Sequence, residues 1–157
     1  MHVLSLSSLK GGVGKTTVTL GLASSAFSRG IRTLVVDFDP QSDVSTGLGV
    51  QNRNRLTVAD VIATPKIKVI RQAVAPTAWS TPGRMAVDVV IGSPSAVNFD
   101  GPHPTSREIW RLEEALALIE TEYDLVLIDC APNLNALTRM AWAASDRVGV
   151  VSEPGLF

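Results

Sequence analysis

The segment Lys10-Gly11-Gly12-Val13-Gly14-Lys15-Thr16-Thr17 constrains this chain most, because it sets three glycines between a strand-like and a helix-like stretch. Before it, Val3 to Ser7 alternates apolar residues with serine. After it, Thr16 to Ser28 places Val18, Leu20, Leu22, Ala23, Ala26 and Phe27 at roughly helical spacing. Gly30 stands where a helix C-cap belongs. Ile31 to Val36 is a second β-branched run, followed by the turn signal Asp39-Pro40. Strand, glycine turn, helix and strand within about 35 residues make one βαβ unit, which requires a parallel sheet.

The remaining chain extends that pattern. Thr57 to Ile62 predicts a short helix capped by Thr57, with Asp60 completing an imperfect capping box, and Lys68 to Ala75 predicts another. Thr77 to Arg84 reads as loop, Ala86 to Ile91 as a third strand, and Val97 to Pro104 as an exposed loop. Thr105 or Ser106 caps a helix to about Glu122, with Ile109, Leu112, Leu116 and Ile119 along one face. Leu125 to Ile128 is fully apolar, as at a sheet centre. Leu134 to Ala144 predicts a helix and Arg147 to Val151 a fifth strand. With the glycine turn of Lys10 to Thr17 after its first strand, the expected architecture resembles the P-loop NTPase-like fold: α/β, a doubly wound, mainly parallel sheet with helices on both faces. Residues 1–157 fit one domain. A doubly wound sheet usually continues past such a strand, so the C-terminal part of the fold is expected to be missing.

Composition excludes several classes. Of 157 residues 45% are apolar and 18% charged, with a net charge of −1, which excludes a disordered chain and removes any global pull toward nucleic acid or anionic membrane. The single cysteine, Cys130, cannot form an internal disulfide. No apolar run reaches the ~20 residues of a membrane helix, and Met1-His2-Val3-Leu4 carries no basic export leader, so a cytoplasmic location is expected.

Three segments carry chemistry. In Lys10 to Thr17 the glycines let backbone N–H groups turn inward around phosphate oxygens, and the following helix adds its N-terminal dipole. Lys15 then reaches β- and γ-phosphates and the Thr16 hydroxyl ligates Mg²⁺. The general pattern wants glycine where this chain has Leu9. Asp37 and Asp39, two residues apart at a strand's carboxyl end, can orient an attacking water and hold a metal's water shell. Asp129, closing the apolar strand, has the position of a Walker B acid bound to Mg²⁺ through water.

These segments, in this order, resemble the deviant Walker A ATPases of the ParA/MinD group. The likeness runs through Lys10 to Gly49 and Tyr123 to Val151, and the doubled glycine after Lys10 accounts for Leu9. Asp39-Pro40-Gln41, then Ser45-Thr46-Gly47-Leu48-Gly49, is similar to the ParA/Soj branch. The resemblance implies ATP and Mg²⁺ as cofactors, held by Lys10, Gly11, Gly12, Val13, Gly14, Lys15, Thr16 and Thr17, with Thr17 on the α-phosphate. It implies Lys10 as a signature lysine that reaches the partner's nucleotide in an ATP-dependent homodimer. Lys15 acts beside it as the P-loop lysine, and Asp39 positions the hydrolytic water. Thr16, Asp37, Asp39 and Asp129 surround the metal. It further implies a ParB-type partner that stimulates hydrolysis, and non-specific DNA binding through regions mostly absent here. The expected activity is ATP hydrolysis in chromosome or plasmid partitioning, without a membrane partner.

The chain departs from that group at Asp129-Cys130-Ala131-Pro132, where ParA chains carry a small residue and then two prolines, and in its length. Alternatives are a MinD-like or other cargo-positioning ATPase and a non-hydrolysing nucleotide-binding scaffold. Lys66, Lys68 and Arg71, with Arg53 and Arg55, read as a solvated basic stretch rather than a phosphate surface. His2 and His103 lack partners at ligand spacing. Cys130 is expected to be a small buried residue, and Trp110 and Trp142 to lie in the core or an interface.

Overall fold

The computed structural model of the chain describes residues 1–50, 55–80 and 86–155. Strand β1 (His2–Ser7) leads through the glycine turn into helix α1 (Lys15–Ser28) and then strand β2 (Thr33–Phe38). Helices α2 (Asp43–Gly47), α3 (Val58–Ala63) and α4 (Ile67–Ala73) follow, then strands β3 (Val74–Pro76) and β4 (Val87–Val90) and a 3-10 turn over Pro94–Phe99. The described chain closes with α5 (Ser106–Ile109), α6 (Arg111–Ala117), β5 (Leu125–Cys130), α7 (Ala136–Ala143) and β6 (Arg147–Val150).

The strands form one sheet in the order β3-β4-β2-β5-β1-β6, and every pairing is parallel except β3 with β4. β5 lies between β1 and β2, so the carboxyl ends of all three strands meet at one edge. There Asp37 stands in register with Asp129. Because side chains alternate along a strand, Leu34, Val36, Phe38, Val126 and Ile128 point to one face, where they join a core with α3, α6 and α7. Val35, Leu127, Val87 and Val89 point to the other, against Ala23 of α1 and Val44 and Leu48 around α2. Each fully buried aliphatic side chain contributes about 1.5–3 kcal/mol. These two cores hold the sheet edge rigid beneath the glycine turn.

Local signals act as the sequence suggests. Gly30, at φ 70, follows the C-cap Arg29, and its N–H and that of Ile31 reach the carbonyls of Phe27 and Ala26 at 3.0 Å each, a Schellman stop. Thr57 caps α3, and its backbone N–H donates to Asp60 Oδ2 at 2.7 Å, so aspartate completes the box in place of the usual glutamate. Trp110 separates α5 from α6, and the helix expected to run to Glu122 ends at Ala117.

Other expectations change. The helix expected over 68–75 spans Ile67–Ala73, and residues 74–76 turn into an antiparallel edge strand too short to show any periodicity. The expected exposed loop at 97–104 begins inside the 3-10 turn, which buries Ala96, while Asp100 accepts from Asn133 Nδ2 at 2.9 Å and the Leu137 N–H at 3.1 Å. Asp100 thereby caps α7 from a distance. Trp110 and Trp142 are partly exposed rather than core residues, whereas Cys130 is buried, and burial pushes its thiol up to about 11. Arg71 pairs with Glu122 at 2.7 Å and Arg55 donates to the Val74 carbonyl at 2.7 Å. Arg53 and Arg84 lie outside the described residues. Among those residues no helix is long and apolar enough to cross a membrane.

Candidate functional site

The turn after β1 is built on left-handed glycines: Gly12 has φ 77 and Gly14 φ 92, conformations that a side chain at either position would strain. Gly14 caps α1 without any side-chain hydrogen bond, and the first turn of α1 holds no acidic residue. A 14-residue helix thus presents its N-terminus to the pocket without a side-chain cap on it. Instead the first turn carries Lys15, a cation at the end of the dipole that disfavours it. The helix dipole alone would not place it there; the carboxylates of Asp129 and Asp39 hold it.

Lys15 is buried, and its ammonium lies 3.0 Å from Asp129 Oδ1 and 3.8 Å from Asp39 Oδ2. The Thr16 hydroxyl donates to Asp129 Oδ2 at 2.9 Å, and the Thr19 hydroxyl to Asp129 Oδ1 at 2.9 Å. One fully buried carboxylate is therefore gripped by three groups from little more than one turn of α1. Above them opens a cavity of about 290 Å³, lined by Ser8, residues 10–17, Asp39, Gln41, Asp43 and Pro132.

The other acids are placed differently. Asp39 Oδ1 accepts from the Gln41 N–H at 3.0 Å, and burial raises its pKa while that bond and Lys15 oppose the rise. Asp37 is held away from the pocket. Its Oδ2 accepts from the Ser45 backbone N–H at 2.9 Å and the Ser45 hydroxyl at 2.5 Å, and that hydroxyl also accepts from the Gly92 N–H at 3.1 Å. A Cβ on Gly92 would stand 2.6 Å from both Asp37 Cγ and Ser42 Oγ, so glycine is required where the strands close on this acid. Lys10 points outward, its exposed ammonium 3.6 Å from Glu153.

Burial pushes the Asp37 carboxyl up to about 7, partly opposed by its bonds from Ser45. Because the folded value lies above the unfolded one, the native chain holds a proton that the unfolded chain releases. Stability is then full below the unfolded value and is lost as pH climbs through about 7. In EDTA, denaturant melts between about pH 5 and pH 8 should lose roughly 2–3 kcal/mol of stability that Asp37→Asn does not lose. An equal slope in both proteins contradicts the assignment.

The pocket suits a polyanion with a hard cation. The Ser8 hydroxyl lines it, buried and without a hydrogen-bond partner, as are Asp37 Oδ1 and Ser42 Oγ nearby. At the pocket floor the Thr16 hydroxyl and the Asp129 carboxylate stand together, an all-oxygen donor pair. That fits Mg²⁺, which prefers one or two carboxylates completed by substrate phosphates and water. The sites named from sequence thus divide: Lys15, Thr16 and Asp129 converge, Asp39 lies within reach of Lys15, Lys10 stands at the pocket rim with its ammonium turned to Glu153, and Asp37 is held away by Ser45. Thr19, Ser45 and Gly92 were not among them.

Comparison with known proteins gives a consistent picture. A family model described as an AAA domain matches residues 1–157. Chromosome partitioning protein ParA of Caulobacter vibrioides (strain NA1000 / CB15N) is 36% identical over 156 residues, covering 96% of this chain and 55% of its own length. Sporulation initiation inhibitor protein Soj of Bacillus subtilis is 34% identical, covering 93% and 56%. The crystal structure of cobyrinic acid a,c-diamide synthase from Mycobacterium smegmatis with bound ADP and magnesium superposes with a TM-score of 0.84 at 26% identity, covering 97% of this chain and 60% of that one. The chain spans about half the length of the curated relatives it matches.

Proposed function

We propose, from the premise that this chain belongs to the AAA domain family and is a P-loop ATPase of the ParA/MinD type, that it binds ATP with Mg²⁺ in the glycine turn, dimerises on that nucleotide and hydrolyses it in DNA partitioning. The observation that carries the reading is the convergence of Lys15 and Thr16 on Asp129 beneath an uncapped helix N-terminus. The neighbour with ADP and magnesium and the partitioning relatives support the ligand and the role.

Backbone N–H groups of residues 11–17 surround the phosphates, and Lys15 swings from Asp129 and Asp39 to the β- and γ-phosphates. Thr17 meets the α-phosphate. The Thr16 hydroxyl and Asp129 would hold Mg²⁺, which would supply positive charge to neutralise the phosphate oxygens. Asp39, at the pocket wall, orients the attacking water. Asp37, tied down by Ser45, supports the metal's surroundings from behind. Lys10, exposed at the rim, is free to exchange Glu153 for the phosphates of a second copy, supplying charge in trans as an arginine finger does. A ParB-type partner would set the rate, DNA would be bound non-specifically, and the protein would work in the cytoplasm at the nucleoid.

Asp39→Ala tests the chemistry. ATP affinity should stay within about threefold, while turnover falls by roughly 10²–10⁴, the range for a lost general base or water-orienting group. Hydrolysis at the wild-type rate in that variant would refute the assignment of Asp39, and a wild-type chain that binds ATP without turnover would refute the hydrolytic part of the reading.

A further inference from the structure

Thr19 is a hydroxyl in the interior of α1, fully buried one turn before Ala23, which packs in one core with Val35 and Leu127 of the sheet. Threonine is a poor choice for that position on propensity alone, since its branched side chain loses rotamer freedom in a helix. Its oxygen lies 2.9 Å from Asp129 Oδ1 and 3.1 Å from the carbonyl of Lys15, one turn back. A hydroxyl has one hydrogen to donate, and the carboxylate is both the nearer and the charged acceptor. Asp129 Oδ1 is therefore shared between Lys15 and Thr19, while Oδ2 faces Thr16 alone among the side-chain donors described.

The three partners of Asp129 differ in their freedom. Lys15 and Thr16 both line the pocket and both have work to do on its occupant; Thr19 lines no part of it. As soon as the Lys15 ammonium turns to phosphate, Oδ1 of a fully buried carboxylate keeps Thr19 as its remaining side-chain donor. A buried carboxylate without a donor would rotate to find one, and Thr16 is the donor within reach, so the oxygen meant for the metal's water shell would be turned out of line.

We infer that Thr19 is the positioning residue of this site: its hydroxyl pins Oδ1 of Asp129, so that Oδ2 keeps its direction toward Thr16 and the magnesium when Lys15 leaves for the phosphates. The inference rests on the ATP–Mg²⁺ reading above and adds a division of labour between the two carboxylate oxygens. Thr19 touches neither nucleotide nor metal, so its effect is confined to the metal-dependent part of binding.

The test uses the 157-residue chain, a fluorescent ATP analogue, and Thr19→Val and Thr19→Ser. Valine removes the hydroxyl at nearly constant volume, and serine keeps it. In EDTA all three proteins should bind the analogue within about twofold of one another. With the analogue at fixed concentration, the MgCl₂ needed for half-maximal enhancement should rise about 10–100-fold in Thr19→Val, the usual loss for an outer partner of a metal ligand, and return to within about threefold in Thr19→Ser. An unchanged MgCl₂ midpoint in Thr19→Val overturns the proposal. Equal losses in EDTA and in MgCl₂ also overturn it, since they mark a merely structural hydroxyl. If Thr19→Val does not fold, Thr19→Ala takes its place in the same titrations. A wild-type chain that binds no analogue at all removes the ATP reading itself, and the proposal with it.

Discussion

Asp129→Ala should cost this chain about 3–5 kcal/mol of unfolding free energy, the range seen when one member of a buried ion pair is removed. The substitution leaves the buried Lys15 ammonium with Asp39 Oδ2 at 3.8 Å as its nearest carboxylate. It also strips the Thr16 and Thr19 hydroxyls of their carboxylate acceptor. Small domains have about 5–15 kcal/mol in total, so the variant should melt far earlier than wild type or fail to accumulate. Asp129→Asn keeps an oxygen acceptor for the hydroxyls and should lose less. Urea melts of the three proteins check this. A variant within about 1 kcal/mol of wild type would mean that Asp129 is not the anchor of the site.

Lys15→Ala should lower ATP affinity at least about 100-fold, roughly 2.7 kcal/mol, because a charge-assisted contact to phosphate is lost. A second effect adds to the first. Without the ammonium, Asp129 and Asp39 face an incoming polyanion uncompensated. Lys10→Ala is the informative control, since both lysines flank the same turn. Lys10 is exposed and ion-paired with Glu153 at 3.6 Å, so its removal should leave affinity in the monomer within about threefold and act on dimer-dependent turnover. Calorimetric titration of both variants separates them. Equal losses would contradict the division of roles between the two lysines.

Much of this organisation is legible in the residues themselves. The glycine turn between an alternating strand and a helix announces the βαβ unit, and the apolar run Leu125 to Ile128 announces a central strand, which β5 is. These signals are local: period, propensity and turn chemistry act over a few residues. What stayed hidden is held by long-range contacts. Thr19 meets Asp129 across 110 residues and Ser45 meets Gly92 across 47, and only the strand order brings them together. A faint signal for Thr19 existed, since it is a hydroxyl four residues after Lys15 on the face that otherwise continues as Ala23 and Ala26. Ser42, at φ 58 without glycine, and the three-residue edge strand at 74–76 had none. The stretch 97–104 is largely exposed, as its glycine and prolines predict, but they do not announce that Asp100 would cap a helix 36 residues on.

The central claim is that these residues build a magnesium–nucleotide site, and it is tested most directly by titrating the wild-type chain with ATP, once in MgCl₂ and once in EDTA. The predicted result is saturable binding of one ATP per chain, tightened by magnesium, because Thr16 and Asp129 are already aligned beneath the turn. A folded chain that shows no saturable binding in either buffer would contradict the account at its root.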